Sequence, residues 1–144
     1  MSVDAIYTAI DTQLETITGF PGDLVLMNVT YAPVAGKPYL MATMAAYVRR
    51  ALTLGRDKTF APGGYLAEHR GTYRVDCVVP QDAGRTIATR LQGQVLSLFR
   101  RGTTLTSSDG DLVIFDAPTP MPLVGEEGWY RAPVDCPWYV FEAS

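Results

Sequence analysis

The 144-residue sequence has one histidine and two cysteines, and its first 36 residues contain no lysine or arginine. Each scarcity closes a route. With His69 the only imidazole, any mechanism in which histidine activates a serine or cysteine must pass through that residue. Cys77 follows eight positions later on a run that alternates like a strand. At ~3.3 Å per residue that is about 26 Å, so the two cannot form a dyad. The enzymatic reading that survives is a small hydrolase using His69 with Cys136. His69 itself stands among Glu68, Arg70 and Thr72 and reads as a surface histidine. Neither cysteine belongs to a CxxC pair, and one histidine with two separated cysteines builds none of the familiar zinc sites. Two cysteines are also too few for a secreted disulfide framework, so both read as buried, unpaired thiols. No metal and no cofactor is expected.

Long apolar runs are missing too. Nothing approaches the ~18 residues of a membrane span. The N-terminal stretch is broken by Asp4, Asp11 and Glu15 and lacks the basic start and small-residue cleavage site of a signal peptide. The expectation is a soluble intracellular chain with no membrane partner, in which the sequon Asn28-Val29-Thr30 has no meaning. There is no GxGxxG. Gly36-Lys37 is followed by Pro38, and Tyr31 stands where a P-loop needs its first glycine. Asp109-Gly110-Asp111 lacks the further acids and closing glutamate of a calcium loop and reads as a type I′ turn. Glu126 and Glu127 read as solvated.

What is present is a globular composition, with 47% hydrophobic and 19% charged residues in 15.7 kDa. It predicts one domain over residues 1–144 that buries roughly 68–70% of its unfolded surface. A net charge of −3 argues against sequence-specific or general nucleic-acid binding. The charge is segregated, however: −4 over residues 1–36, +7 over 37–102 and −6 over 103–144. Either neighbouring segments balance inside one fold, or copies meet head to tail through unlike surfaces. The second reading nominates Arg49, Arg50, Arg56 and Lys58 on one side of a subunit joint, with Asp109, Asp111, Glu126 and Glu127 on the other.

Val3, Ile6, Ile10, Leu14 and Ile17 follow at helical steps and predict a helix over about 3–17. Leu24 to Tyr31 reads as a strand, Tyr39 to about Leu54 as a second with a break near Arg49-Arg50, and 67–79 as a third. Gly55 to Gly64 reads as a long exposed loop. Gln81 to Gly84 opens a second helix carrying Ile87, Leu91, Val95, Leu98 and Phe99, closed by Arg100, Arg101 and a Gly102 C-cap. Thr103–Thr106 and Asp111–Asp116 flank a hairpin turn, Ala117–Gly128 reads as loop, and Trp129–Phe141 is extended, its prolines favouring an edge. The order α-β-β-β-α-β-β-β predicts an α+β fold, a mostly antiparallel mixed sheet with both helices on one face.

In that order the segments resemble a known family. The helix Ile6-Tyr7-Thr8-Ala9-Ile10, the run Leu26-Met27-Asn28-Val29 and the segment Pro33…Gly36…Tyr39-Leu40 are similar to the start of phage tail-terminator-like proteins. His69-Arg70-Gly71-Thr72-Tyr73-Arg74-Val75-Asp76-Cys77-Val78-Val79-Pro80 then leads through Gly84 into a helix ending Leu98-Phe99-Arg100-Arg101-Gly102. The close, Trp129-Tyr130…Pro133-Val134…Trp138-Tyr139-Val140-Phe141, fits the same pattern. The resemblance implies a structural protein of a long-tailed phage, present in the virion tail and assembled in the host cytoplasm. It implies a homo-hexameric ring that caps the tail tube, terminates tube polymerisation and offers the head-tail joining surface. Its implied partners are the tail tube protein and head-tail connector proteins, and it carries over no catalytic residue. Some members assemble with the help of magnesium, for which no ligand set is identifiable here. A head-tail connector or neck protein of the same virion is the alternative.

Overall fold

The computed structural model describes residues 2–27, 29–53 and 65–143. Helix α1 spans Val3–Glu15, started by Ser2, whose Oγ accepts from the Ala5 N–H at 3.3 Å. Ala5, Ile6, Ile10 and Leu14 are its buried face. It stops before Ile17 because Thr16 caps it, its N–H and hydroxyl both turned back to the Gln13 carbonyl.

Strand β1 is only Asp23–Val25, parallel to β2, Tyr39–Thr53. The strand expected as far as Tyr31 ends early. The Val29 N–H turns back to the Leu26 carbonyl, and Tyr31 and Lys37 both tie to Asp23, at 2.7 and 2.8 Å. β2 runs unbroken through Arg49-Arg50, its one irregularity being a bulge between Met44 and Ala46. It pairs antiparallel with β3, Tyr65–Pro80. The expected loop over 55–64 lies outside the described residues.

A short 3₁₀ turn, Gln81–Ala83, precedes α2, Arg85–Leu98, so the helix does not begin at Gln81. Gly84 separates them at φ 87°, a conformation glycine adopts without strain. α2 buries Ala88, Leu91, Gln92 and Val95. Ile87, expected in the core, is 39% exposed because the buried stripe is one residue out of phase with it. Arg100 and Arg101 lie beyond the helix, whose C-cap is Phe99, and Gly102 instead turns the chain into the sheet, its N–H on the Phe115 carbonyl.

β4, Thr104–Thr106, and β5, Leu112–Phe115, form the expected hairpin. Its turn is not type I′. The Gly110 N–H bonds to the Ser107 carbonyl and the Ser107 N–H to the Asp111 carbonyl, giving a three-residue loop with Gly110 in the left-handed position. Within the segment read as loop lie two short strands, β6, Thr119–Pro120, and β7, Val124–Glu126. Both pair with β8, Trp129–Ala143.

The strands make one curled, mixed, mostly antiparallel sheet in the order β1-β2-β3-β8-β5-β4, with β6 and β7 also along β8. β8 is therefore central, where its prolines predict an edge. In a strand the N–H and C=O of one residue point to the same side. The Pro133 and Pro137 carbonyls accept from Met121 and Asp116, so their missing N–H groups also face the β5–β7 flank. That flank is cut into three short strands, and the prolines interrupt nothing on the β3 side, where the ladder is continuous.

Both helices pack on one face of the sheet. Ile6, Ile10 and Leu14 of α1 and Leu91, Val95 and Phe99 beside and within α2 share one core with Tyr73, Val75 and Cys77 of β3 and Val134, Cys136 and Trp138 of β8. Gly71 makes room for the largest of these. A Cβ there would lie 2.5 Å from the Trp138 ring, so the indole rests directly on the neighbouring backbone. Gln92, polar yet buried, donates to the Met121 and Pro133 carbonyls at 3.0 Å each, tying α2 to the β6–β8 flank. Cys77 and Cys136 are buried and free. They sit four register positions apart on adjacent strands, about 13 Å, too far to bridge.

Candidate assembly surfaces

His69 is not at the surface. It is 3% exposed, on the helix-bearing face of β3, its Nδ1 against the Tyr47 hydroxyl and its Nε2 2.9 Å from Glu142 Oε2. The strand entrance looks exposed in sequence, but β2 and β8 flank it, and Tyr47 lies beside the imidazole ring and is itself backed by Trp138. The contact with His69 holds the Glu142 carboxyl below its usual value. Both imidazole nitrogens are thus engaged. Cys136 lies opposite Tyr73, four positions along from His69, and burial pushes its thiol up to about 12. At about 13 Å, and with no thiolate near neutral pH, the His69–Cys136 hydrolase reading is overturned on geometry. Among the described residues no cluster of three or more histidine, cysteine or acidic side chains is placed to hold a metal ion.

The nominated charged residues separate into two ends of the sheet. Arg50 lies opposite Glu68, which lies opposite Phe141; continuing the register of Ile114 with Tyr139 puts Leu112 level with them. Arg49 and Arg50 on β2 and the Ser107–Asp111 turn beyond β4 therefore share one end, on opposite margins of the sheet. Glu126 and Glu127 sit at the other end, by the Trp129–Pro80 pair, twelve positions or about 40 Å away along β8. Arg49, Arg50, Asp109, Glu126 and Glu127 are exposed. Arg56 and Lys58 lie outside the described residues.

Several charges are already matched inside the chain. Lys37 meets Asp23 at 2.8 Å, Arg74 meets Asp135 at 2.6 Å, and Arg131 bridges Asp76 at 2.7 Å and Glu126 at 2.9 Å. On the sheet face away from the helices Glu68, nearly buried, is clamped by Arg70 and by Arg50 at 3.5 Å. Asp109 accepts the Ser2 N–H at 2.8 Å. Arg49 has no ion pair among the described residues. So the segregated charge is partly spent within one subunit; of the described basic pair Arg49 is the one without an ion pair among the described residues, though its charge helps to lower the Glu142 carboxyl.

Two features escape a reading by charge. From Ala42 to Thr53, β2 has no strand partner on its outer side among the described residues, and Thr43, Ala45, Ala46, Val48, Arg49, Arg50 and Ala51 are exposed along it. Val48 is 63% exposed. At the opposite margin, a groove of about 460 Å³ runs between the open side of β4 and α1, lined by Ala5, Thr8, Ala9 and Thr12 and by Thr104 and Leu105. The groove had a signal in the sequence, since Ala5, Thr8, Ala9 and Thr12 put small side chains on one helix face. The open edge had none, because which strand is outermost depends on pairing between distant segments.

The family described as phage tail terminator protein matches residues 5–138, nearly the whole chain. No curated protein sequence matches. Among solved structures, a protein bearing no functional description superposes with a TM-score of 0.72 at 21% identity, over 97% of this chain and 96% of that one. A chain from the virion of a native gene transfer agent particle superposes with a TM-score of 0.57 at 14% identity, over 96% of each. These likenesses concern the fold. The family match decides between terminator and connector, and between structural protein and enzyme: the chain belongs to the phage tail terminator family, structural and non-enzymatic components of the virion tail.

Proposed function

We propose that the chain, acting as one domain over residues 1–144, forms a homo-hexameric ring on the finished tail tube. The ring stops tube polymerisation on the face that meets the tail tube protein and gives head-tail connector proteins a joining surface on the other. The observation that carries the reading is the unlikeness of the two sheet margins. One is a long open strand edge bearing arginines; the other is a short edge with a groove and an acidic turn. Contacts between unlike patches are heterologous, and they close into rings when the rotation per subunit divides a full turn. Of the nominated residues, Arg49, Arg50, Arg56 and Lys58 serve one side of that contact and Asp109 and Asp111 the other, while Glu126 and Glu127 belong to an end of the ring.

Electron microscopy of the purified protein, alone and on isolated tail tubes, tests this. Six-fold rings at one tube end are expected, as are overlong tubes in tails assembled without the protein. Tubes of normal length without it would refute the terminating role.

A further inference from the structure

Resting on that ring reading, we propose that the open edge of β2 docks beside β4 of a second copy. The sheet then continues from subunit to subunit as a parallel pair.

The strand directions allow it. β2 and β8 are each antiparallel to β3, and β8 and β4 are each antiparallel to β5, so β2 and β4 run the same way at the two margins. Rotation about an axis along the strands keeps every residue at its own height. A neighbour's β4 therefore meets β2 in parallel, and residues level with each other on the two margins become partners. Val48, opposite Arg70 and hence level with Tyr139 and Ile114, is level with Thr104. Arg49 and Arg50 come level with the approach to the Ser107–Asp111 turn, which carries Asp109 and Asp111.

The receiving side has room. The open edge of β4 borders the 460 Å³ groove, whose α1 wall is alanine and threonine, short enough for a strand backbone to come close, apart from Gln13, whose amide is turned to the Leu98 carbonyl at 3.0 Å. An extended segment added to a sheet edge gains main-chain hydrogen bonds for affinity and side-chain matching for register. The donating side needs cover. A long edge strand is normally guarded by prolines, short length or many charges; β2 beyond Met41 has no proline, and its guards are one bulge and two arginines. Those arginines select the occupant. Two-fold pairing of β2 with itself about this region would gather four arginines, whereas β4 of a second copy offers aspartates at the same height.

Cysteine cross-linking distinguishes the edge from the ring. Val48→Cys combined with Thr104→Cys, or with Thr106→Cys to allow for stagger, changes only exposed positions, and the native Cys77 and Cys136 stay enclosed. Oxidation of the assembled double variant should yield a ladder from dimers up to closed rings on a denaturing gel, with each single variant remaining monomeric. Arg49→Glu should raise the concentration needed for assembly roughly tenfold, and Asp109→Arg in the same chain should restore it. Rings that sediment normally while neither double variant cross-links would overturn the edge pairing and leave the ring standing. Dimers from Val48→Cys alone would replace it with two-fold pairing. A protein that forms no ring on tubes or in solution would remove both.

Discussion

Asp11 shows how a single side chain sets a pH dependence. Its Oδ1 accepts the Tyr73 hydroxyl at 2.7 Å, joining α1 to β3 across the core. Burial raises the Asp11 carboxyl above its ordinary value, outweighing the lowering by that hydrogen bond, and burial likewise raises Tyr73, which stays a donor. Folded Asp11 therefore keeps its proton where the unfolded chain, at 3.8, has lost it. The folded state binds more protons in that window. Its contribution to stability is complete below the unfolded value and disappears as pH rises through the folded one. Asp76 acts in the same sense, raised by burial against the pull of Arg131. Asp11→Asn keeps an oxygen for Tyr73 and removes the titration. Denaturant unfolding from pH 3.8 to neutrality should show a stability slope shifted in the positive direction relative to the parent chain, since the one contribution that falls with pH at this site is gone; an unchanged slope would rule out the assignment.

At the scale of elements, α2 is decided by phase. Its sequence offers Ile87 and Leu91 as equivalent apolar positions, yet Leu91 is 5% exposed and Ile87 39%. Leu91→Ala should cost ~2–5 kcal/mol, the range for truncating a buried leucine. Ile87→Ala should stay within about 0.5 kcal/mol, as surface substitutions do. Urea unfolding of the two variants measures the difference, and equal losses would place the helix on another face. Gln92 belongs with Leu91 on the buried stripe, satisfied by carbonyls of the segment that β8's prolines leave interrupted. The helix and the broken flank of the sheet thus complete one another.

Over the whole molecule, charge works in two places. The bridges Lys37–Asp23 and Arg74–Asp135 lie within the subunit, while Arg49 and the Asp109 turn are directed to its margins. Raising ionic strength from 0.1 M to 1 M shortens the Debye length from ~10 Å to ~3 Å, which screens exposed pairs most. Ring formation followed by sedimentation should weaken over that range. Salt-independent rings would mean that the charged pairs add nothing to the subunit contact. Arg50→Glu is expected to behave differently from Arg49→Glu, because it sets a second carboxylate against the nearly buried Glu68 and so lowers the stability of the monomer itself.

Local pattern determined much of this protein. The helical steps of Ile6, Ile10 and Leu14, the alternation through Tyr73, Val75 and Cys77, and the Ser107–Gly110 turn each write their element into consecutive residues, because burial on one face imposes a period. The ordered series of elements carried the α+β class and the family likeness with it. What neighbours in sequence do not encode, the tertiary structure decided. His69 is buried only because Tyr47 and Glu142, 22 and 73 positions distant, close over it. β8 tolerates central prolines only because their missing N–H groups face a flank already divided among three short strands. Of the nominated charges, Arg49 and Asp109 share an end of the sheet and Glu126 does not, since strand order and register set height, and both arise from pairing between segments far apart in the chain.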